Sequence, residues 1–281
     1  MEWIEQFNQA IALLETALPG PVEIGRLAQA AGCSAFHFQR LFAYLAGMPL
    51  SEYIRRRRMS LAAADLQADA RVLDVALRCG YASPTAFNRA FRQVHGIPPS
   101  QARLPGAPLR SYPPIRLQIA VQGGTVLEFR VEKREAFPIL GLSFPLRSHI
   151  EENFRIVPQM WEQAAAEGTL ARLTAQMDGT PQGLLGVSLC QDSQPWRYYI
   201  AVASSQPPGP WEAYTVPAST WAIFPGRGPA SGIQQLERRI ITEWLPTSGY
   251  EYADAPDLEV YQNPDPRDAQ YEIWIPVAPK P

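Results

Sequence analysis

The chain is poor in the residues that build most catalytic and covalent frameworks. Its 281 residues include three cysteines, Cys33, Cys79 and Cys190. Their number and spacing give no disulfide framework and fit no zinc site. A reducing cytoplasm is the expected compartment. Neither Cys33 nor Cys79 has an adjacent base or cation cluster to activate its thiol. Histidine is equally scarce: His37, His95 and His149 lie far apart. No Ser/His/Asp arrangement, phosphate-binding loop or metal cluster is visible, so no catalytic residues, cofactor or metal are expected. No apolar run approaches the roughly 20 residues that span a bilayer. The first residues are acidic and amphipathic rather than basic and then apolar, so neither a membrane partner nor a secretory leader is expected.

Charge is scarce overall but unevenly placed. Residues 1–116 hold 13 Lys+Arg against 8 Asp+Glu, a net of +5, while residues 117–281 hold 12 against 19, a net of −7. A basic front suits a polyanion, and an acidic rear suits a neutral or cationic ligand. Most of the 28 prolines fall after residue 97. The length is enough for two domains, each with its own core.

The front contains a repeat. Ser34/Ser83, Phe38/Phe87, Arg40/Arg89, Phe42/Phe91, Gly47/Gly96, Pro49/Pro98 and Ser51/Ser100 match at an offset of 49. Upstream, Ile24/Val72, Leu27/Val75, Ala28/Ala76 and Gly32/Gly80 match at an offset of 48, so one residue is inserted near Tyr81. Two copies of one unit fit a device that grips two equivalent surfaces, as successive turns of duplex DNA provide.

Apolar spacing predicts helices over 2–17, 22–31 and 35–46, with Gly32 turning in a left-handed conformation and Ser34 capping the third. Phe38, Leu41, Phe42 and Leu45 are expected to face the core, with Phe36, Gln39, Arg40 and Ala43 on other faces. The second copy repeats the plan. Val72, Val75 and Ala76 form an apolar face, Gly80 turns, Ser83 caps, and a helix over 84–94 starts favourably at Pro84. Thr85, Asn88 and Arg89 are left for a DNA groove. Residues 50–68, rich in Ala, Leu and Arg, predict one long connecting helix. Arg55–Arg58 point all round it, so at most two can reach phosphate, and one can pair with an acid of its own domain.

These motifs resemble the DNA-binding domain of AraC-type bacterial transcription regulators over about residues 5–104. The resemblance implies two helix–turn–helix units on one rigid connector, entering adjacent major grooves of double-stranded DNA. Phe36, Gln39 and Arg40 would contact the first groove, and Pro84, Thr85, Asn88 and Arg89 would line the second helix. The chain has Phe36 where Trp is common and Pro84 where Gln is common, which points to a different sequence readout. RNA polymerase is a further partner that the resemblance implies.

The segment 104–114, with Pro105, Pro108, Pro113 and Pro114, reads as a semi-rigid linker. We expect domains over 1–104 and 122–281, joined by 105–121. Beyond the linker, strands are expected over 126–132, 137–144, 184–190, 198–203, 211–216, 220–224, 258–261 and 271–275, with helices over 156–167 and 233–244. Two β-β-α-β-β halves imply a pseudo-symmetric α+β domain with a cleft between them. Residues 221–229, 244–250, 258–261 and 272–276 are similar to the GyrI-like effector-binding domain, an SHS2-type fold. The resemblance covers about 122–279 and is strongest over 211–279. An AraC-type head on this module is an arrangement of multidrug-type regulators, and the resemblance implies a small-molecule effector held at Glu259.

Strand alternation independently places Glu259 and Tyr261 on one face and Leu258 and Val260 on the other. If the apolar face meets the helices, Glu259 and Tyr261 face the cleft. A carboxylate among aromatic rings suits a delocalised organic cation. Trp161, Tyr199, Trp221 and Trp274 are candidate walls, and Trp244 a core residue. A ligand-responsive regulator is the first reading. Some proteins resembling the rear module hydrolyse small electrophilic drugs, so a hydrolase is the second. A DNA-binding factor that recruits a protein partner is the third.

Overall fold

A computed structural model describes residues 2–117, 126–191, 195–229, 231–265 and 267–280. The chain forms two compact units, Met1–Ala120 and Val121–Pro281. The expected boundary at 121/122 lies outside the described residues.

The front unit is helical. Its elements are α1 (Glu2–Ala17), α2 (Ile24–Ala30), α3 (Ala35–Ala46), α4 (Leu50–Gln67), α5 (Val72–Arg78), α6 (Pro84–His95) and a short α7 (Pro99–Ala102). Gly32 and Gly80 both turn at positive φ, +69° and +80°, which glycine adopts at little cost. Ser34 caps α3, its hydroxyl accepting the His37 N–H at 3.3 Å. Ser83 differs from expectation: its side chain makes no capping bond, and Pro84 occupies the first turn of α6 instead.

Two apolar clusters fill this unit. One gathers Phe7, Leu14, Leu27, Phe38, Phe42, Leu50 and Tyr53 around the first copy. The other gathers Met59, Ala62, Leu66, Val75, Phe87, Phe91 and Val94 around the second. Phe38, Phe42, Phe87 and Phe91 are fully buried, each worth roughly 1.5–3 kcal/mol of transfer free energy. The helix α4 serves both clusters, one with each half.

The rear unit is one antiparallel sheet carrying helices. In chain order it runs β1 (Arg130–Arg134), β2 (Phe137–Pro145), α8 (Ile150–Ala166), α9 (Thr169–Thr174), β3 (Leu184–Leu189) and β4 (Arg197–Ala203). The second half is β5 (Glu212–Val216), β6 (Ser219–Gly228), α10 (Ser231–Arg239), β7 (Tyr250–Tyr252), β8 (Asp257–Asn263) and β9 (Ala269–Pro279). Between α10 and β7, one π-helical turn over Ile240–Trp244 leads into α11 (Leu245–Thr247). The strand order is β1-β6-β9-β8-β3-β4-β2-β5, with β7 on β9.

The first strand of each half lies against the second strand of the other half: β1 pairs with β6 and β5 with β2. The pseudo-two-fold is visible in the register. Leu185 and Gly186 pair with Ala201 and Ile200 in one half, and Leu258 and Glu259 with Trp274 and Ile273 in the other. Every position is shifted by 73 residues. At the junction, Gly186 of β3 pairs with Glu259 of β8.

Both sheet faces are buried, by different means. One face carries α8 and α9 over Tyr198, Ile200 and Val202, and the segment 231–247 over Phe224, Tyr271, Ile273 and Ile275. On the other face, Leu185, Val187, Tyr199, Trp221, Leu258, Val260 and Trp274 close on one another, with no helix residue in the cluster. The sequence-based assumption that Leu258 and Val260 meet the helices is therefore reversed. The helix α8 also begins at Ile150 rather than 156, because its polar first turn, Glu151-Glu152-Asn153, carries no apolar period. Strand β1 starts at Arg130 rather than 126.

Candidate functional site

The rear site is built where β8, β3 and β4 run side by side beneath α8. Strand alternation puts Glu259 and Tyr261 of β8 on the helix-bearing face. Tyr198 of β4 shares that face and reaches across β3 to donate its hydroxyl to Glu259 Oε2 at 3.0 Å. Tyr261 donates to the same oxygen, also at 3.0 Å.

The crossing is possible because β3 carries Gly186 there. A Cβ at that position would lie 2.2 Å from the Tyr198 hydroxyl and 2.7 Å from Glu259 Oε2. From above, Trp161 of α8 donates its indole N–H to the Tyr198 hydroxyl at 2.8 Å. The Trp161 ring meets Tyr261 edge-on at 5.0 Å, and Tyr271 follows at 6.3 Å.

Burial raises the Tyr198 and Tyr261 phenols well above their usual range, and the Glu259 charge raises them further. Glu237 of α10 adds a smaller push on both, and on Tyr271. The phenols therefore remain protonated and act as donors to the carboxylate. The result is one carboxylate held by two hydroxyls beside the rings of Trp161, Tyr198 and Tyr261.

Of the residues singled out from sequence, the structure brings together Glu259, Tyr261 and Trp161. It does not bring Tyr199, Trp221 or Trp274 to them. Those three are buried on the opposite face, where Trp221 packs on Trp274 at 6.1 Å and Tyr199 stacks on Tyr214 at 5.7 Å. Tyr198, its neighbour in sequence, takes the place expected of Tyr199, and Tyr271 backs Tyr261 from the side of β6. A signal for both was present: Tyr198-Tyr199-Ile200 and Tyr271-Glu272-Ile273 repeat at the offset of 73 residues.

In the front unit the two recognition helices differ. On α6, Pro84, Thr85, Asn88 and Arg89 are exposed, and Phe87 and Phe91 point inward. On α3, Phe36, Gln39 and Arg40 are buried, at 6%, 2% and 4% exposure, contrary to their expected place on an outer face. Helical period alone does not place a long side chain. The Arg40 guanidinium folds back to 5.9 Å from the centre of the Phe36 ring, and the Gln39 amide bonds the Ala35 carbonyl at 3.3 Å.

The arginine run is structural. Arg55 and Arg56 both pair with Glu52 at 2.5 Å. Arg57 pairs with Glu15 at 2.6 Å. Arg58 bonds the carbonyls of Leu18 at 3.0 Å and Gly20 at 2.5 Å. All four bind groups of their own domain; Arg57 pairs with an acid there as expected, while Arg55 and Arg56 keep 29% and 33% of their side-chain surface exposed.

Among the described residues, no three His, Cys, Asp or Glu side chains form a group able to hold a metal, and no helix is long and apolar enough to cross a membrane.

Comparison with known proteins agrees with both halves of this description. Residues 127–278 match the GyrI-like small-molecule-binding domain, and residues 27–104 match a helix–turn–helix domain. The chain is 38% identical over 98 residues to the HTH-type transcriptional activator AarP of Providencia stuartii, covering 34% of this chain and 73% of that protein. It is 35% identical over 94 residues to the regulatory protein SoxS of Escherichia coli (strain K12), covering 33% of this chain and 88% of that protein. Similarity to the right origin-binding protein of the same strain is 31% over 140 residues, covering 50% of this chain and 48% of that protein.

Proposed function

The chain belongs to the AraC-type transcription regulators and carries a GyrI-like small-molecule-binding domain, and on that premise we propose that Glu259 is the seat of a cationic aromatic effector that controls DNA recognition. The observation that carries this reading is the donation of two buried phenols to one carboxylate oxygen beside the rings of Trp161, Tyr198 and Tyr261. A flat organic cation gains charge pairing and ring contact there together. In this reading the effector is held and not turned over, and the protein is a regulator rather than an enzyme. It acts in the cytoplasm, where its DNA is. RNA polymerase is its second macromolecular partner, in keeping with the activator among its relatives.

On the DNA side, the reading is that Thr85, Asn88 and Arg89 of α6 contact base edges, supported by their exposure, with Pro84 shaping the start of the helix. Phe36, Gln39 and Arg40 must be uncovered before α3 can do the same.

The test is Glu259→Gln, which keeps the shape and removes the charge. A fluorescent phenanthridinium cation and a neutral phenanthridine of the same outline are titrated against both proteins, with tryptophan quenching as the signal. The cation loses about tenfold or more in affinity, the size of one removed charge-assisted contact, and the neutral ring is unaffected. Equal cation affinity in the variant would refute the seat. Consumption of the ligand by the parent but not the variant would favour a hydrolase instead.

A further inference from the structure

After α7 the chain stays on the front unit. Leu109 and Tyr112 pack against the apolar cluster of the second copy, and Ile115 and Leu117 against that of the first. The backbone bonds follow the same path. The Arg110 N–H donates to His95 Nδ1 at 3.1 Å, Tyr112 N–H to Ser60 Oγ at 2.9 Å, Ile115 N–H to the Tyr53 hydroxyl at 3.2 Å, and Leu117 N–H to Asn8 Oδ1 at 2.9 Å. Carbonyls are used as well: Arg57 donates to Tyr112 O at 2.5 Å, and Asn8 Nδ2 to Leu117 O at 3.2 Å. The Arg56 guanidinium lies 5.0 Å from the centre of the Tyr112 ring.

These partners sit in turn on α6, on α4 from Ser60 back to Tyr53, and on α1. The segment 109–117, which its prolines mark as part of a semi-rigid linker, thus runs antiparallel to α4 and is bonded to the front unit along its length. Anchoring at its middle is strong. Arg57 is buried, makes three bonds of 2.6–3.0 Å to the Glu15 carboxylate, and holds the strap carbonyl with its remaining arm. Tyr53 donates to the same carboxylate at 2.6 Å, and burial together with this bond pushes its phenol up to about 12.

A single helix joining two modules leaves them free to bend and twist about it. A second track bonded at both ends removes that freedom, as two rails hold an angle that one does not. We propose that residues 109–117 are a positioning strap that fixes the angle between the two helix–turn–helix modules and so sets the spacing of the two DNA segments the protein accepts. This rests on the reading that both modules enter DNA.

The experiment uses the full chain and duplexes selected by the parent protein from a random pool. Each selected duplex is then made with one base pair inserted or deleted between its two contacted segments, and with either segment scrambled. One base pair turns the second segment by about 34° around the duplex axis. Two variants release the strap from opposite sides. Tyr112→Pro/Ile115→Pro/Leu117→Pro removes three N–H donors outright and leaves the helices untouched. Asn8→Ala/Ser60→Ala removes two of their acceptors with a residue that favours helix.

The parent is expected to lose about tenfold in affinity on a one-base-pair change, and the variants about threefold or less, in keeping with the coupling of a bonded network. Affinity for the scrambled duplexes, which engage one module, is unchanged. A spacing penalty as large in the triple-proline variant as in the parent overturns the strap. If that variant fails to fold, the same penalty in the Asn8/Ser60 variant, with faster amide exchange at Tyr112 and Leu117, overturns it equally. No spacing preference in the parent itself would instead remove the two-groove reading beneath it.

Discussion

The two helix–turn–helix copies of the front unit share a template and differ in what covers them. Both bury their matched phenylalanines completely, Phe38 and Phe42 in one, Phe87 and Phe91 in the other. Both turn at a left-handed glycine. Yet the reading face of α3 is buried and that of α6 is open. Ser34 caps its helix through a hydroxyl, whereas Ser83 leaves the task to Pro84. A shared apolar core therefore fixes the fold of each copy, while the caps and the polar faces differ between them.

Four measurements sharpen or break that comparison. The largest effect is expected in the cores. Phe38→Ala and Phe87→Ala should each destabilise the front unit by about 3–5 kcal/mol, and by similar amounts, as chemical denaturation would show. A large difference between them would mean the copies are not equivalent inside.

Next, Arg89→Ala should weaken specific DNA binding by about 1–3 kcal/mol and relax the preference at one base pair. Arg40→Ala should cost less DNA affinity in this conformation, and it should lower the melting temperature because a buried side chain is lost. Gel-shift titrations beside thermal melts of both variants would expose a reversed order.

The caps predict a smaller contrast. Ser34→Ala should cost about 1 kcal/mol and Ser83→Ala only a few tenths, since only Ser34 bonds a helix N–H. Equal costs in urea melts would show that the capping difference is not energetic.

The smallest effect is a pH dependence confined to the second copy, where His95 stands and the first copy has Ala46. Burial lowers the His95 pKa, its bond to the Met59 carbonyl opposes this, and Arg110 lowers it further. Because its ring accepts from Arg110 N–H and donates to Met59 O, the neutral form is the one that fits. A histidine with a lowered folded pKa contributes its full stability above the unfolded value, near 6.5, and loses it as pH falls through the folded one. Melting of the parent should therefore drop more between pH 7.5 and 5 than that of His95→Gln. Parallel curves would show that His95 does not titrate in this range.

The front unit was legible in the sequence almost residue by residue, because helical period and glycine turns are local signals. The helices α1 and α3 begin and end where spacing put them. The strap was not legible: its bonds come from residues up to 109 positions away, and its prolines read as those of a semi-rigid linker. In the rear unit, the two β-β-α-β-β halves could be read from local pattern. The exchange of β1 and β5 between halves could not, since no local property selects a partner strand.

The same gap misplaced part of the site. Alternation correctly put Glu259 with Tyr261, but choosing Tyr198 over Tyr199 requires knowing that β3 separates β8 from β4. Aromatic residues on the far face looked like cleft walls because that face is buried by its own side chains, and no local pattern in the sequence marks such burial.

Gly186 touches no ligand in any reading of the site, yet the duplicated geometry makes it the least replaceable position there. Its counterpart by the 73-residue offset is Glu259, and the two are neighbours at the symmetry axis. A faithful duplicate would set two carboxylates side by side, and such a pair holds a proton rather than a cation. Alanine would be enough to exclude the Tyr198 hydroxyl from the carboxylate. Position 186 must therefore stay bare for the Tyr198 hydroxyl to reach the Glu259 carboxylate.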